Sequence, residues 1–108
     1  MQRLPRNQLL CAELLADYGR LHAYEIKTLL VNGPPSGSVY QALSGLLKKG
    51  YVTAEWELPS PDPDARGGPP RKYFELTALG HQALASERAA ELAERRARLR
   101  RAPRTDTG

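Results

Sequence analysis

The chain is poor in the residues that build disulfide frameworks, metal centres and membrane spans. Its 108 residues include one cysteine, one methionine, one tryptophan, one phenylalanine and two histidines. A lone thiol, Cys11, can form no intrachain disulfide and no cysteine-based zinc site. His22 and His81 stand 59 residues apart without clustered acidic or thiol ligands, so no usual metal-ligand spacing is present. No apolar run approaches the roughly 18–20 residues of a membrane-spanning helix, and no membrane partner is expected. The first residues, MQRLPRNQ, hold no apolar stretch of signal-peptide length, which predicts a cytoplasmic protein. Gly33, Gly37, Gly67 and Gly68 fit neither nucleotide-binding fingerprint. No serine–histidine–acid set is favoured, and Cys11 reads as a small core residue on an apolar stripe rather than a nucleophile. No enzyme, cofactor or metal site is expected.

What is present is ordinary in composition and uneven in charge. Hydrophobic residues make up 41% and charged residues 26%, a balance that fits one soluble domain. The formal charge is +4 and the pI is near 9.5, which suggests an anionic partner such as nucleic acid. Residues 1–94, however, hold ten basic and eleven acidic side chains, whereas 95–108 hold six arginines and one aspartate. The surplus belongs to the tail. The body must be read from its pattern.

Leu10, Cys11, Leu14, Leu15 and Tyr18 recur at helical spacing and predict a first helix over Asn7–Tyr18, stopped by Gly19. Tyr24, Ile26, Leu29 and Leu30 predict a second, shorter helix, ended before Gly33-Pro34-Pro35. Ser36 or Ser38 is expected to cap a third helix with Val39, Leu43, Leu46 and Leu47 inward. Lys48 and Lys49 lie in its last turn, where they complement the helix dipole, and Gly50 ends it.

The period then changes to two. Val52, Ala54, Trp56 and Leu58 alternate with polar residues and predict a strand with one buried face. Residues 59–70 carry five of the nine prolines and read as a loop. Arg71–Leu76 forms the returning strand with Phe74 and Leu76 inward, giving a β-hairpin with a long, stiff tip. Thr77 can cap a last helix to about Arg101, with Leu79, Ala83, Leu84, Leu92, Ala93 and Leu99 as its apolar set. Residues 102–108 are expected to be a frayed tail.

Three short helices followed by a hairpin are the plan of a winged helix-turn-helix, a mostly α fold with a β-hairpin wing (α+β). In that plan the third helix enters the DNA major groove and the hairpin reaches the backbone or minor groove. The expected division is residues 1–76 as the DNA-binding domain, 77–101 as a dimerisation helix and 102–108 as tail.

Three groups of residues could carry function. At the start of helix three, Ser36 and Ser38 can donate to phosphate, Gly37 permits close backbone approach, and Tyr40 or Gln41 can reach base edges. The plainer reading is that the serines only cap and Tyr40 only packs. On the hairpin, Arg66, Arg71 and Lys72 suit phosphate contact, although Asp62 and Asp64 share the loop and exposed cations are commonly just solvated. Along the last helix, Leu84, Leu92 and Leu99 are spaced eight and then seven residues apart, as in a two-helix seam. That stripe could pair with a second copy, together with Leu10 and Leu14, or fold back on its own domain; pairing is favoured because a small body has a thin core. Trp56 reads as core or interface, or else as a contact for a stacked ligand. The Arg95–Arg104 run either binds phosphate or keeps the helix end soluble.

Several segments together resemble the PadR-type transcriptional regulators. His22-Ala23-Tyr24-Glu25-Ile26 is similar to the His-Gly-Tyr-Glu-Ile/Leu segment that opens their second helix. Gly37-Ser38-Val39-Tyr40-Gln41-Ala42-Leu43 resembles their Gly-Ser-Leu/Val-Tyr-Pro-Ala-Leu recognition-helix segment. Leu46 to Val52 with Glu55-Trp56, and Gly68-Pro69-Pro70-Arg71-Lys72-Tyr73-Phe74-Glu75-Leu76-Thr77-Ala78-Leu79-Gly80, are similar to their strand and wing segments. The match runs over about residues 9–85. Ala23 stands in place of the usual glycine and Gln41 in place of a frequent proline.

The resemblance implies a dimeric DNA-binding repressor on a pseudo-palindromic operator, of the short subclass with a single C-terminal helix. It places Ser38, Tyr40 and Gln41 toward the groove, makes Arg71 and Lys72 wing contacts, and adds a small aromatic effector as a candidate partner. Lys48 and Lys49 are expected to hold phosphates. Two-fold symmetry places the half-sites about one helical turn, ~10 base pairs, apart. The rivals are a winged-helix module that binds protein instead of DNA, and a regulator sensing a planar aromatic at a dimer interface near Trp56.

Overall fold

The structure, a computed structural model, describes residues 3–58 and 70–101. The hairpin tip with Arg66 and the tail 102–108 lie outside the described residues. The elements run α1 (Arg6–Tyr18), β1 (Leu21–His22), α2 (Ala23–Leu29), α3 (Ser36–Lys48), β2 (Val52–Trp56), β3 (Lys72–Leu76) and α4 (Ala78–Arg101). The antiparallel sheet has the order β1-β3-β2. Four helices with this small three-stranded sheet make an α+β winged helix-turn-helix.

Each helix has a local cause. The Gly19 N–H bonds the Leu15 carbonyl at 2.9 Å and closes α1. His22 caps α2: its Nδ1 accepts from the Glu25 N–H, and the Glu25 carboxylate accepts from the His22 N–H at 3.1 Å. That reciprocal box lets a helix of only seven residues begin at a defined place.

The start of α3 differs from expectation. Pro35, not a serine, occupies the cap, and no side chain bonds there. The Pro35 carbonyl itself accepts from the N–H groups of Ser38 and Val39, at 3.0 and 3.2 Å. Proline's fixed φ presets this geometry, so both serine hydroxyls are spared from capping.

The core forms where α1, α2 and α3 meet the sheet. Cys11, Leu15, Ile26, Val39, Leu43, Leu46, Phe74, Leu76 and Leu84 are all buried in one cluster. Burial pushes the Cys11 thiol up to about 11, which keeps it protonated at neutral pH, as befits a core residue.

The β2–β3 register pairs Val52 with Leu76, Ala54 with Phe74 and Trp56 with Lys72. Expected burial along this face fails progressively. Val52 is buried and Ala54 half-buried, but Trp56 is 60% and Leu58 81% exposed. The alternation holds, since these side chains share a face, but the strand runs past the helices that would cover it.

The last helix begins as expected. Thr77 Oγ1 accepts from the Gly80 N–H at 3.0 Å and donates to the Gly50 carbonyl at 2.8 Å. Gly80 lies against the Tyr51 carbonyl: a Cβ added there would stand 2.0 Å from that oxygen. Only glycine lets α4 start so close to the sheet.

Beyond this start α4 changes character. Ala83, Leu84 and Glu87 are buried on the body, where α4 packs on α1 and β3. Leu84, at 2% exposed, is therefore a residue of the protomer's own core and not a seam residue open to a partner. From Glu91 to Leu99 every residue is exposed.

Candidate nucleic-acid interface

The two faces of α3 have opposite chemistry. Val39, Ala42, Leu43 and Leu46 are buried, which fixes the rotation of the helix about its axis. That rotation turns Gly37, Tyr40, Gln41, Ser44 and Lys48 to solvent, with Tyr40 59% exposed. Their three- and four-residue spacings align them along one edge. Ser36 is exposed at the helix start and Ser38 half-buried. Sequence reading missed Ser44: a lone serine inside an apolar stretch carries no signal until the helix is oriented, when it falls one turn beyond Tyr40.

A shallow cleft of about 170 Å³ runs beside this edge, lined by Pro5, Asn7, Gln8, Ser38, Gln41 and Ala42. Ser38 and Gln41 thus share one depression with the first turn of α1. The two lysines part company. Lys48 is exposed, but Lys49 is half-buried and its Nζ donates to Gln8 Oε1 at 2.7 Å. Gln8 lies across Gly45, where an added Cβ would fall 2.3 Å from Gln8 Nε2.

On the wing, Arg71 is exposed at the mouth of the hairpin. Its carbonyl accepts from the Glu57 N–H at 2.6 Å, and its own N–H donates to the Glu57 carboxylate at 3.3 Å, so pairing continues past β2. Lys72 is half-buried, with its Nζ 5.6 Å from the Trp56 ring centre and 5.9 Å from that of Phe74. This cation–π contact covers part of the exposed indole. Arg20, also missed by sequence reading, lies on the other face of the sheet. Its guanidinium stands 4.6 Å over Tyr73 and 3.7 Å from the Glu55 carboxylate.

The residues expected at an interface between copies are dispersed. Leu10 is half-buried, and Leu14 is half-buried against the core. Leu92 and Leu99 are exposed on the outer part of α4, as is Leu79 at its start.

A three-helix unit that presents the polar edge of its third helix beside a β-hairpin defines a winged helix-turn-helix protein. The chain belongs to the PadR-like family of transcriptional regulators, whose sequence profile (Transcriptional regulator PadR-like family) matches residues 13–86. None of the curated proteins searched matches it. Among solved structures it is similar to a PadR family transcription regulator from hypervirulent Clostridium difficile R20291. That likeness has 19% identity and a TM-score of 0.72, over 86% of this chain and 94% of that one. A PadR-like transcription factor from Bacteroides fragilis is 27% identical, with a TM-score of 0.65 over 84% of this chain and 87% of that one. Bacillus subtilis PadR, solved in complex with operator DNA, is 19% identical with a TM-score of 0.63. That likeness covers 77% of this chain but only 46% of the Bacillus protein, so the chain spans less than half of its length.

Among the described residues no group of His, Cys, Asp and Glu is arranged to hold a metal ion. No described helix is long and apolar enough to cross a membrane.

Proposed function

We propose that the protein is a homodimeric, sequence-specific DNA-binding repressor that recognises a pseudo-palindromic operator. The observation that carries this reading is the exposed edge of α3. An apolar face holds the helix rigidly while Tyr40, Gln41, Ser44 and Lys48 stand free on the other side. Gln41 suits paired bonds to adenine N6 and N7, and Tyr40 a phosphate or a thymine methyl. Lys48, Arg71 and the hydroxyls of Ser36 and Ser38 suit phosphates, which orient the helix in the groove. Lys49 and Lys72 already have partners in Gln8 and Trp56, and they contribute positive potential more than direct contact.

Dimerisation is supported by the outer half of α4, where Leu92 and Leu99 find no cover within the protomer. With two-fold symmetry the half-sites stand about one helical turn, ~10 base pairs, apart. In this reading residues 1–76 form the reading head and residues 77–101, with α4, the pairing element. Selecting bound sequences from random duplex DNA tests the whole proposal: a palindromic winner is expected. Enrichment of no duplex would leave the protein-binding module as the better reading.

One observation favours an added role for Trp56. An indole 60% exposed at the base of the wing offers a face on which a planar aromatic effector could stack. Fluorescence of this single tryptophan against a panel of planar aromatics tests it. Saturable quenching supports the effector role, and no response to any compound removes it.

A further inference from the structure

Glu87 is the one buried carboxylate among the described residues, and its partners come from the far end of the chain. One oxygen accepts from the Leu4 N–H, and the other accepts from Arg3 Nε at 2.8 Å. Arg3 also reaches Glu94 through Nη1, two turns further along α4. Burial raises the Glu87 carboxyl, but the Leu4 N–H and the Arg3 guanidinium outweigh it and hold it below the usual glutamate value. A charge out of water persists only where its partners are fixed. Residues 3 and 4 are therefore pinned to α4 immediately before α1 begins at Arg6.

The same α1 is keyed into α3. Gln8 crosses Gly45 and accepts from Lys49, so a short stretch from Leu4 to Gln8 joins the middle of α4 to the end of α3. A helix that pairs protomers can place two α3 helices at a defined separation only if its angle to the body is held. The packing of Ala83 and Leu84 holds the near end of α4, and the Arg3–Glu87–Glu94 clamp fixes the direction in which it leaves.

We infer that Glu87, with Arg3, is a positioning residue that fixes α4 against the reading head and so sets which half-site spacing the dimer accepts. The inference rests on the dimeric operator-reading role proposed above. A one-base-pair change in spacing shifts a half-site by about 3.4 Å and rotates it by roughly 35°. A clamped dimer resists this change, and an unclamped one follows it.

The test uses the full chain and duplexes carrying the selected half-sites at the preferred spacing and at one base pair more or less. The wild-type protein is expected to lose about tenfold in affinity for each altered spacing, comparable with one mismatched pair. Arg3→Ala changes a half-exposed side chain and should lose less than about threefold, with dimerisation and single half-site affinity unchanged. Glu87→Gln should move in the same direction. Arg3→Lys, which keeps the charge but not the fork that bridges two carboxylates, should fall between. An equal spacing penalty in wild type and Arg3→Ala would overturn the inference, as would a loss of affinity uniform across all spacings. A wild-type protein that binds no duplex would overturn the operator-reading role itself, and the inference with it, by an outcome distinct from both.

Discussion

The two halves of α4 belong to one helix but do different work. The first half, from Ala78 to Glu87, is set into the body by Thr77, Gly80, Ala83 and Leu84. The second half buries nothing from Glu91 to Leu99, yet keeps leucines at 92 and 99 among five charged residues. Both halves are helical, and what distinguishes them is cover. A buried leucine and an exposed one can share a sequence pattern and differ only in whether their own chain packs over them.

Changes at buried positions of the first half should have the largest effect. Leu84→Ala removes a fully buried side chain and should cost about 3 kcal/mol of protomer stability, measured by denaturant unfolding. A cost below about 0.5 kcal/mol would mean that Leu84 is not core. Gly80→Ala should cost about 2 kcal/mol, because its Cβ meets backbone that cannot swing away. Crystals of that variant should show the start of α4 displaced from Tyr51.

In the second half the contrast reverses. Leu92→Ala combined with Leu99→Ala should change protomer stability by less than about 0.5 kcal/mol. It should nevertheless weaken self-association by about tenfold or more, since apolar burial at a seam is lost. Sedimentation over a concentration series checks this, and unchanged association would remove the outer half of α4 as the pairing element.

The smallest effect concerns the boundary between the halves. The Glu87 carboxyl is lowered on folding, so its contribution is fully present above the ordinary glutamate value, about 4.3, and is lost as pH falls through the folded value. Arg3→Ala should flatten that part of the acid-unfolding curve by lowering stability at neutral pH slightly, with the difference from wild type vanishing once Glu87 is protonated in both.

Much of the fold was legible in the chain because its regularities are local. The stripe Cys11, Leu15 and the stripe Val39, Leu43, Leu46 mark helices by spacing alone, and Thr77 marks the start of α4 by its chemistry. The segment from Gly37 to Leu43 and the wing strand carried the family likeness, which the profile match bears out. What escaped was set by neighbours. The two-residue β1 is too short for any period, and it exists because Leu21 and His22 pair with Phe74 and Tyr73. Trp56 and Leu58 keep the strand's alternation but lie where no helix reaches. Leu84 shares the spacing of Leu92 and differs only in having α1 and β3 beneath it. The Lys49–Gln8 bond and the Arg3–Glu87 clamp join residues 41 and 84 positions apart, a relation that no local pattern encodes.

The role proposed for the exposed edge of α3 is to meet the phosphates and bases of duplex DNA. Its most direct test is the affinity for the selected duplex as a function of salt, for wild type and for Lys48→Ala. A DNA-reading head predicts a steep linear fall of log K with log salt, and a slope smaller by about one for Lys48→Ala. Affinity independent of salt, or an identical slope in the variant together with undiminished binding, would contradict it.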